Sequence, residues 1–170
     1  MHNSLVVGPP TEQKFRFWLK QRLASTWHSF IEPSVGSSIG TPDLLILLPG
    51  YRLPLPVELK VAYRGGHLIR VRRVRPTQIL WHDTLARAGG RSCFLVGVPA
   101  SHGMGFEAWL LPDCRAEVLR RWSHGLPWDT LVQVSDGGAL DFDMWKVTMA
   151  LGQPRQGSQD VAGAEKRVVR

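Results

Sequence analysis

The chain has 170 residues, 44 % of them hydrophobic and 21 % charged, with 21 Lys+Arg against 14 Asp+Glu. This length and composition fit one folded domain and exclude both a wholly disordered chain and two compact domains. Five of the 21 basic residues are Lys, which leaves 16 Arg, and the planar guanidinium of Arg binds phosphate oxygens two at a time. The net charge of +7 therefore makes nucleic acid the first partner to consider.

Two features of the sequence bear on its compartment. The longest apolar run, Leu44 to Leu48, has the length of a strand and not of a membrane span, and no basic region followed by an apolar run opens the chain. Cys93, predicted in a buried strand, and Cys114, predicted in an exposed turn, supply neither a disulfide framework nor a zinc site. We expect a cytoplasmic protein with no membrane partner.

The first half of the chain carries clear signals for one helix and one strand. Thr11 can cap a helix over residues 11–25, whose apolar residues recur at helical spacing: Phe15, Trp18, Leu19 and Leu23. Residues 32–42 are rich in Gly, Ser and Pro and form a loop that leads into a strand over 43–48. Pro49-Gly50 then marks a turn.

The next elements complete an α/β pattern. Alternation predicts a strand over Val57 to Ala62, whereas Pro54 and Pro56 restrict the segment before it to an edge or an irregular stretch. Residues 67–75 form a further strand or an extended arm, a helix runs over 76–88, and a continuous apolar strand follows over 92–98. This order, α-β-β-(β)-α-β, predicts a mixed central sheet flanked by helices, with the last strand parallel to an earlier one.

The remainder of the chain is predicted to extend this domain. A strand over 106–111 and a short helix over 116–122 follow, and residues 129–151 alternate less regularly. We therefore predict a single domain over 1–151, with a core over 11–98 and an extension over 99–151. The polar segment 152–170 is predicted to be a disordered tail.

Two carboxylates and an amine form the most suggestive constellation. Glu58 and Lys60 lie two residues apart on one strand and so project from the same face, and a hairpin around Pro49-Gly50 can bring Asp43 level with Glu58. Paired carboxylates hold Mg²⁺, which keeps waters and phosphate oxygens as its other ligands. A lysine beside them can position water or stabilise growing negative charge. The alternative is a solvated strand face with a surface ion pair.

These residues resemble a known family. The segments Gly40-Thr41-Pro42-Asp43-Leu44-Leu45 and Val57-Glu58-Leu59-Lys60, followed by Gln78 with Trp81, Leu85 and Gly89-Gly90, look like the core of the PD-(D/E)xK nuclease superfamily. The closest likenesses within it are virus-type replication-repair nuclease domains and the Holliday-junction resolvases of phages and archaea. The resemblance covers about residues 11–98 and implies a restriction-endonuclease-like core.

The resemblance also implies roles for individual residues. Asp43 and Glu58 would be metal ligands for Mg²⁺ or Mn²⁺ and Lys60 the catalytic lysine, with Gln78 near the metal. Glu12, the acidic residue of the predicted first helix, would be a third ligand; alternatively it caps the helix, and Glu32 is the competitor for the metal role. Ser37 and Ser38 match, less closely, a serine-bearing loop of the resolvases that contacts DNA.

A basic segment supports DNA as the substrate. Leu59 to His82 contains no acidic residue, and its arginines can contact backbone phosphates: Arg64, Arg70, Arg72, Arg73 and Arg75. Arg70, Arg72 and Arg75 are expected to form a mostly one-sided fringe beside the site. Four tryptophans could stack on exposed bases, although packing is their more frequent use: Trp109, Trp122, Trp128 and Trp145.

These observations predict a metal-dependent DNA endonuclease, selective for Holliday junctions or other branched DNA in replication or recombination. Such an enzyme would act as a homodimer, because two strands must be cut symmetrically. It would act in the bacterial host cytoplasm if a phage encodes it. The alternatives are an end-trimming or nicking nuclease of the same fold, and a DNA-binding structural protein with an inactive nuclease core.

Overall fold

A computed structural model describes residues 9–23, 28–30, 41–47, 54–71, 73–101, 105–138 and 140, with the backbone alone for 28–30. Its elements in chain order are α1 (Glu12–Lys20), β1 (His28–Phe30), β2 (Leu44–Ile46), β3 (Leu55–Gly65), β4 (Leu68–Val71), α2 (Pro76–Arg87), β5 (Cys93–Pro99), β6 (Phe106–Leu111), α3 (Ala116–Arg121), β7 (Leu126–Pro127), a 3₁₀ turn (Trp128–Thr130) and β8 (Val132–Ser135). No helix in this described part is long and apolar enough to cross a membrane.

The fold is α/β, with helices flanking a mixed sheet, as predicted. The strands follow the order β1-β2-β3-β5-β6-β8. β3 and β5 are parallel and are joined through α2, whereas the other neighbours on this path are antiparallel. β4 pairs with the distal half of β3, and β7 pairs with β4, so the sheet curls away from its main path.

Two cores cover the two faces of β3. Val57, Leu59 and Val61 belong to the core that also contains Phe15 and Leu19 of α1. The residues between them face the opposite side, where a second core contains Ala62 of β3, Phe94 and Val96 of β5, and Leu119 and Trp122 of the α3 region. Because both faces are covered, β3 and β5 are buried along most of their length, as is typical of parallel strands between helices.

The first helix is shorter than predicted. Thr11 caps it as expected, since its hydroxyl accepts a hydrogen bond from Lys14 N at 3.2 Å. The prediction of a helix to residue 25 was wrong, because α1 ends at Lys20 with Gln21 as its C-cap. Leu23 is nevertheless buried and its N–H bonds to the Leu19 carbonyl, so the apolar spacing persists past the end of the helix.

The proline-containing start of β3 also differs from the prediction. Pro56 lies within the strand and is level with Leu45 of β2. Leu59 N–H points to the β2 side, where it meets Asp43, so by strand alternation the Pro56 nitrogen points to the β5 side. Pairing with β5 begins only at Val57, and the missing N–H therefore removes no ladder bond.

The region after residue 98 contributes to the same sheet. β6 pairs with β5, and β8 pairs with β6, so this part of the predicted extension completes the sheet. The short strands β1, β7 and β8 were not predicted. Cys114 was expected in an exposed turn and is buried, with its thiol 3.5 Å from the Ser92 carbonyl oxygen, because α3 covers it. The tail 152–170 lies outside the described residues.

The close approach of α1 to β5 gives a test of this packing. A Cβ added at Gly97 would overlap the Phe15 ring, so we expect Gly97→Ala to lower the free energy of unfolding by about 1–3 kcal/mol, measured by urea denaturation. In a Phe15→Leu background the added methyl group gains room and its cost should shrink. An equal cost in both backgrounds would contradict this contact.

Candidate active site

The antiparallel pairing of β2 with β3 places the predicted aspartate beside the predicted glutamate. Leu44 is level with Val57, and continuing this register by one residue puts Asp43 level with Glu58. Asp43 Oδ2 accepts a hydrogen bond from Leu59 N at 3.0 Å, which holds the carboxylate against β3. The long connection between the two strands thus leaves the predicted register intact.

Lys60 shares the face of β3 with Glu58 and connects the strands to α1. Its Nζ lies 3.5 Å from Glu58 Oε1 and donates to Glu12 Oε1 at 3.2 Å. One turn further along α1, Arg16 NH1 lies 3.6 Å from Asp43 Oδ1. The first two turns of α1 therefore supply one acidic and one basic group to the same cluster.

Gln78 approaches Glu58 from the first turn of α2. Its side-chain amide donates to Glu58 Oε1, and its amide oxygen accepts from Arg75 N at 3.0 Å. The second bond is a helix-capping contact at the N-terminus of α2, and it fixes which end of the amide faces the carboxylate. The helix start thus orients the donor to Glu58.

The carboxylates of Asp43 and Glu58 are close enough to perturb one another. Glu58 is 3 % exposed. Its pKa is raised to about 8, chiefly by burial and then by the neighbouring Asp43 carboxylate, while Lys60 acts in the opposite direction. The repulsion between the two carboxylates is removed if one of them takes up a proton, or if a cation binds in addition to the Lys60 ammonium.

Two adjacent carboxylates are ligands that Mg²⁺ and Mn²⁺ accept, and their crowding in a buried position fits a divalent cation. Asp43 and Glu58 are the residues that could hold it. In the part of the chain that the structure describes, no group of three or more His, Cys, Asp or Glu side chains is placed to hold an ion. Glu12 instead contacts Lys60, and Glu32 lies outside the described residues.

The described arginines that were predicted to contact DNA do not all lie on one face of the protein. Arg64, Arg70, Arg73 and Arg75 are exposed. Arg70 lies in β4 opposite Tyr63, whereas Arg64 projects from the other face of β3, opposite Ile69. β4 ends at Val71 and Arg75 precedes α2, so the alternation predicted to align Arg70 with Arg75 does not continue. Arg72, Ser37 and Ser38 lie outside the described residues.

Arg16 is the residue of this cluster that sequence reasoning missed. It lies four residues after Glu12 and therefore on the same side of α1, which is the signal that could have identified it. Its guanidinium partly offsets the charge of Asp43, as Lys60 does for Glu58. Each carboxylate of the pair thus has a basic neighbour.

In comparisons with known proteins, no protein-family model, no curated protein and no solved structure matches the chain.

His82 lies behind the site, one turn after Gln78 on α2. Its Nδ1 is 2.6 Å from Ser92 Oγ, and its ring packs 4.6 Å from Phe94. Burial, with a smaller contribution from the Lys60 charge, lowers its pKa to about 4. His82 is therefore a neutral residue of the core.

The lowered pKa of His82 predicts how stability depends on pH. The unfolded chain takes up this proton near pH 6.5, whereas the native protein resists it until about pH 4, so the contribution is complete above pH 6.5 and lost as the pH falls to 4. Its size is about 3 kcal/mol. Urea denaturation between pH 7.5 and 4 should give a flatter profile for His82→Gln than for the wild type. Parallel profiles would contradict this account.

Proposed function

We propose that this protein is a metal-dependent nuclease that hydrolyses phosphodiester bonds in DNA. One observation carries the proposal: Asp43 and Glu58 are adjacent on neighbouring strands, and Lys60 lies 3.5 Å from Glu58 on the same face. Glu12 and Gln78, which come from two different helices, contact this group as well. Five residues selected from the sequence for one chemistry thus form one connected cluster.

The side chains divide the work of hydrolysis between them. Asp43 and Glu58 would hold the metal, which would supply positive charge to the scissile phosphate and lower the pKa of an attacking water. Lys60, whose ammonium contacts Glu12 and Glu58, would stabilise the negative charge of the transition state. Gln78 donates to Oε1 of Glu58 and so orients the carboxylate that would hold the metal.

DNA is the proposed substrate because of charge. The chain carries a net charge of +7, and Arg64, Arg70, Arg73 and Arg75 are exposed in the segments that follow Lys60. Arginine contacts to backbone phosphates bind DNA without reading its sequence, so selectivity would rest on the shape of the DNA. We propose branched or junction DNA, cut by a homodimer that presents two sites.

The proposed family is the PD-(D/E)xK nuclease superfamily, with a restriction-endonuclease-like core. The support is the succession α1, β2, β3, α2 and β5, in which the strand of Glu58 and Lys60 runs parallel to the strand that follows α2. The motif residues Pro42-Asp43 directly precede β2, and Glu58-Leu59-Lys60 lies in β3. An end-trimming nuclease and an inactive DNA-binding protein of the same fold are the alternatives that cleavage assays distinguish.

Metal binding should be detectable without substrate. Mg²⁺ or Mn²⁺ at about 100 times its dissociation constant should raise the melting temperature by roughly 5–10 °C, because only the folded site binds it. Asp43→Asn should abolish this rise and, without metal, should melt no lower than the wild type, since it removes one of two crowded charges. The exposed Asp129 gives the matched control, and Asp129→Asn should respond to metal like the wild type. A full metal response in Asp43→Asn would contradict the site.

Cleavage tests the chemistry itself. Four-way junction, flap, linear duplex and single-stranded DNA should be incubated with Mg²⁺ or Mn²⁺, and Asp43→Asn and Lys60→Met should each lower the rate by about 10³-fold or more. Gln78→Ala, which loses one donor to Glu58, should have a smaller effect of about 10- to 100-fold. Lys20→Met, at the exposed end of α1, is the control for Lys60→Met.

The outcomes of this assay separate the alternatives. Cleavage that is unaffected by Asp43→Asn and Lys60→Met would overturn the site. Binding without cleavage in either metal would favour the inactive DNA-binding protein, and cleavage of linear ends alone would favour the end-trimming enzyme.

A further inference from the structure

A second cluster lies on the same face of the sheet as Glu58 and Lys60. Four residues beyond Lys60, Arg64 donates a hydrogen bond to Glu107 of β6. Its guanidinium carbon lies 4.9 Å from the centroid of the Trp128 ring. Val96 of β5 is level with Lys60 of β3 on one side and with Trp109 of β6 on the other. The ring centroid of Trp109 is 4.9 Å from that of Trp128.

Hydrogen bonds hold the planar groups of this cluster in place. Trp109 Nε1 donates to Glu107 Oε2 at 3.3 Å, and Trp128 Nε1 donates to the Gly66 carbonyl oxygen at 3.2 Å. Glu107 is buried, and its Oε2 accepts hydrogen bonds from both Arg64 and Trp109. A buried carboxylate is costly unless it is paired, so this one is committed to positioning a guanidinium and an indole.

The cluster remains accessible from solvent. The Arg64 side chain is 46 % exposed, and Trp109 and Trp128 are both partly exposed at the rim of the second core. Covering that core requires apolar surface alone. It does not require a guanidinium stacked on an indole and anchored to a buried carboxylate.

We propose that Arg64, Trp109 and Trp128 form a stacking site for unpaired bases of a DNA strand, an inference that rests on the proposed function and specifies its substrate. Indole and guanidinium planes stack on any base, because every base has a π-face. The Arg64 charge suits the phosphates between those bases.

Distance along the strand relates this site to the proposed cleavage site. Four residues of a β-strand span about 13 Å from Lys60 to Arg64, which equals about four stacked nucleotides at 3.4 Å each. A substrate with an unpaired arm a few nucleotides from the scissile phosphate would reach both sites at once. Flapped or splayed DNA has this property and a blunt duplex does not.

The test measures binding in EDTA, so that it does not depend on cleavage. A fluorescently labelled single-stranded oligonucleotide and a blunt duplex of equal length should be titrated with the wild type and with Trp128→Ala, Trp128→Phe and Arg64→Gln. We expect Trp128→Ala to weaken single-strand binding about 5- to 100-fold, Trp128→Phe to retain most of it, and duplex binding to change less than about twofold. Trp81→Ala, on the outer side of α2, controls for the loss of a partly exposed tryptophan.

The outcomes separate this inference from the nuclease proposal. Folding of each variant is checked by circular dichroism, and Arg64→Gln keeps the test decisive should Trp128→Ala unfold. Single-strand binding that is unchanged in Trp128→Ala and Arg64→Gln would overturn the stacking site. An equal loss for the duplex would overturn it as well. A wild type that binds single strands through Trp128 but cleaves nothing in either metal would overturn the nuclease proposal and support the stacking site.

Discussion

Burial of Glu58 next to Asp43 is the constraint around which the surrounding structure is arranged. Two carboxylates at one position on a sheet repel each other, and an isolated buried charge destabilises a fold by several kcal/mol. The chain compensates from three directions: Lys60 from the same strand, Arg16 from α1 and the amide of Gln78 from α2. Burial and the Asp43 carboxylate still raise the pKa of Glu58 despite these neighbours.

The same constraint explains why β3 has two different faces. One face is wholly apolar and packs on α1, where Phe15 fits against the bare backbone of Gly97. The other carries Glu58 and Lys60, then Ala62 of the second core and then the exposed Arg64. Packing of the apolar face against α1 holds the strand in place. Glu58 and Lys60 on the opposite face are therefore positioned by packing to which they do not contribute.

The sequence predicted the centre of the site better than its surroundings. The register of Asp43 with Glu58 could be predicted because apolar alternation fixes which side chains share a face. The spacing of Arg16 from Glu12 could have placed it near the site, but helical spacing does not identify Asp43 as its partner. The short strands β1 and β8 have too few residues to give a periodic pattern. Cys114 follows a turn signal in the sequence, which does not reveal that α3 packs over it. The catalytic and metal-binding roles of the residues remain predictions.

The parallel pairing of β3 with β5 has a consequence for biosynthesis. Glu58 and Lys60 leave the ribosome well before β5, yet their strand gains its second neighbour only when residues 93–99 have been made. Gln78 lies on α2, the helix that connects β3 and β4 to β5 along the chain. A nascent chain that stops short of residue 99 thus carries the reactive residues without the scaffold that aligns them. The proposed DNA-cutting activity would in this way be withheld from incomplete translation products.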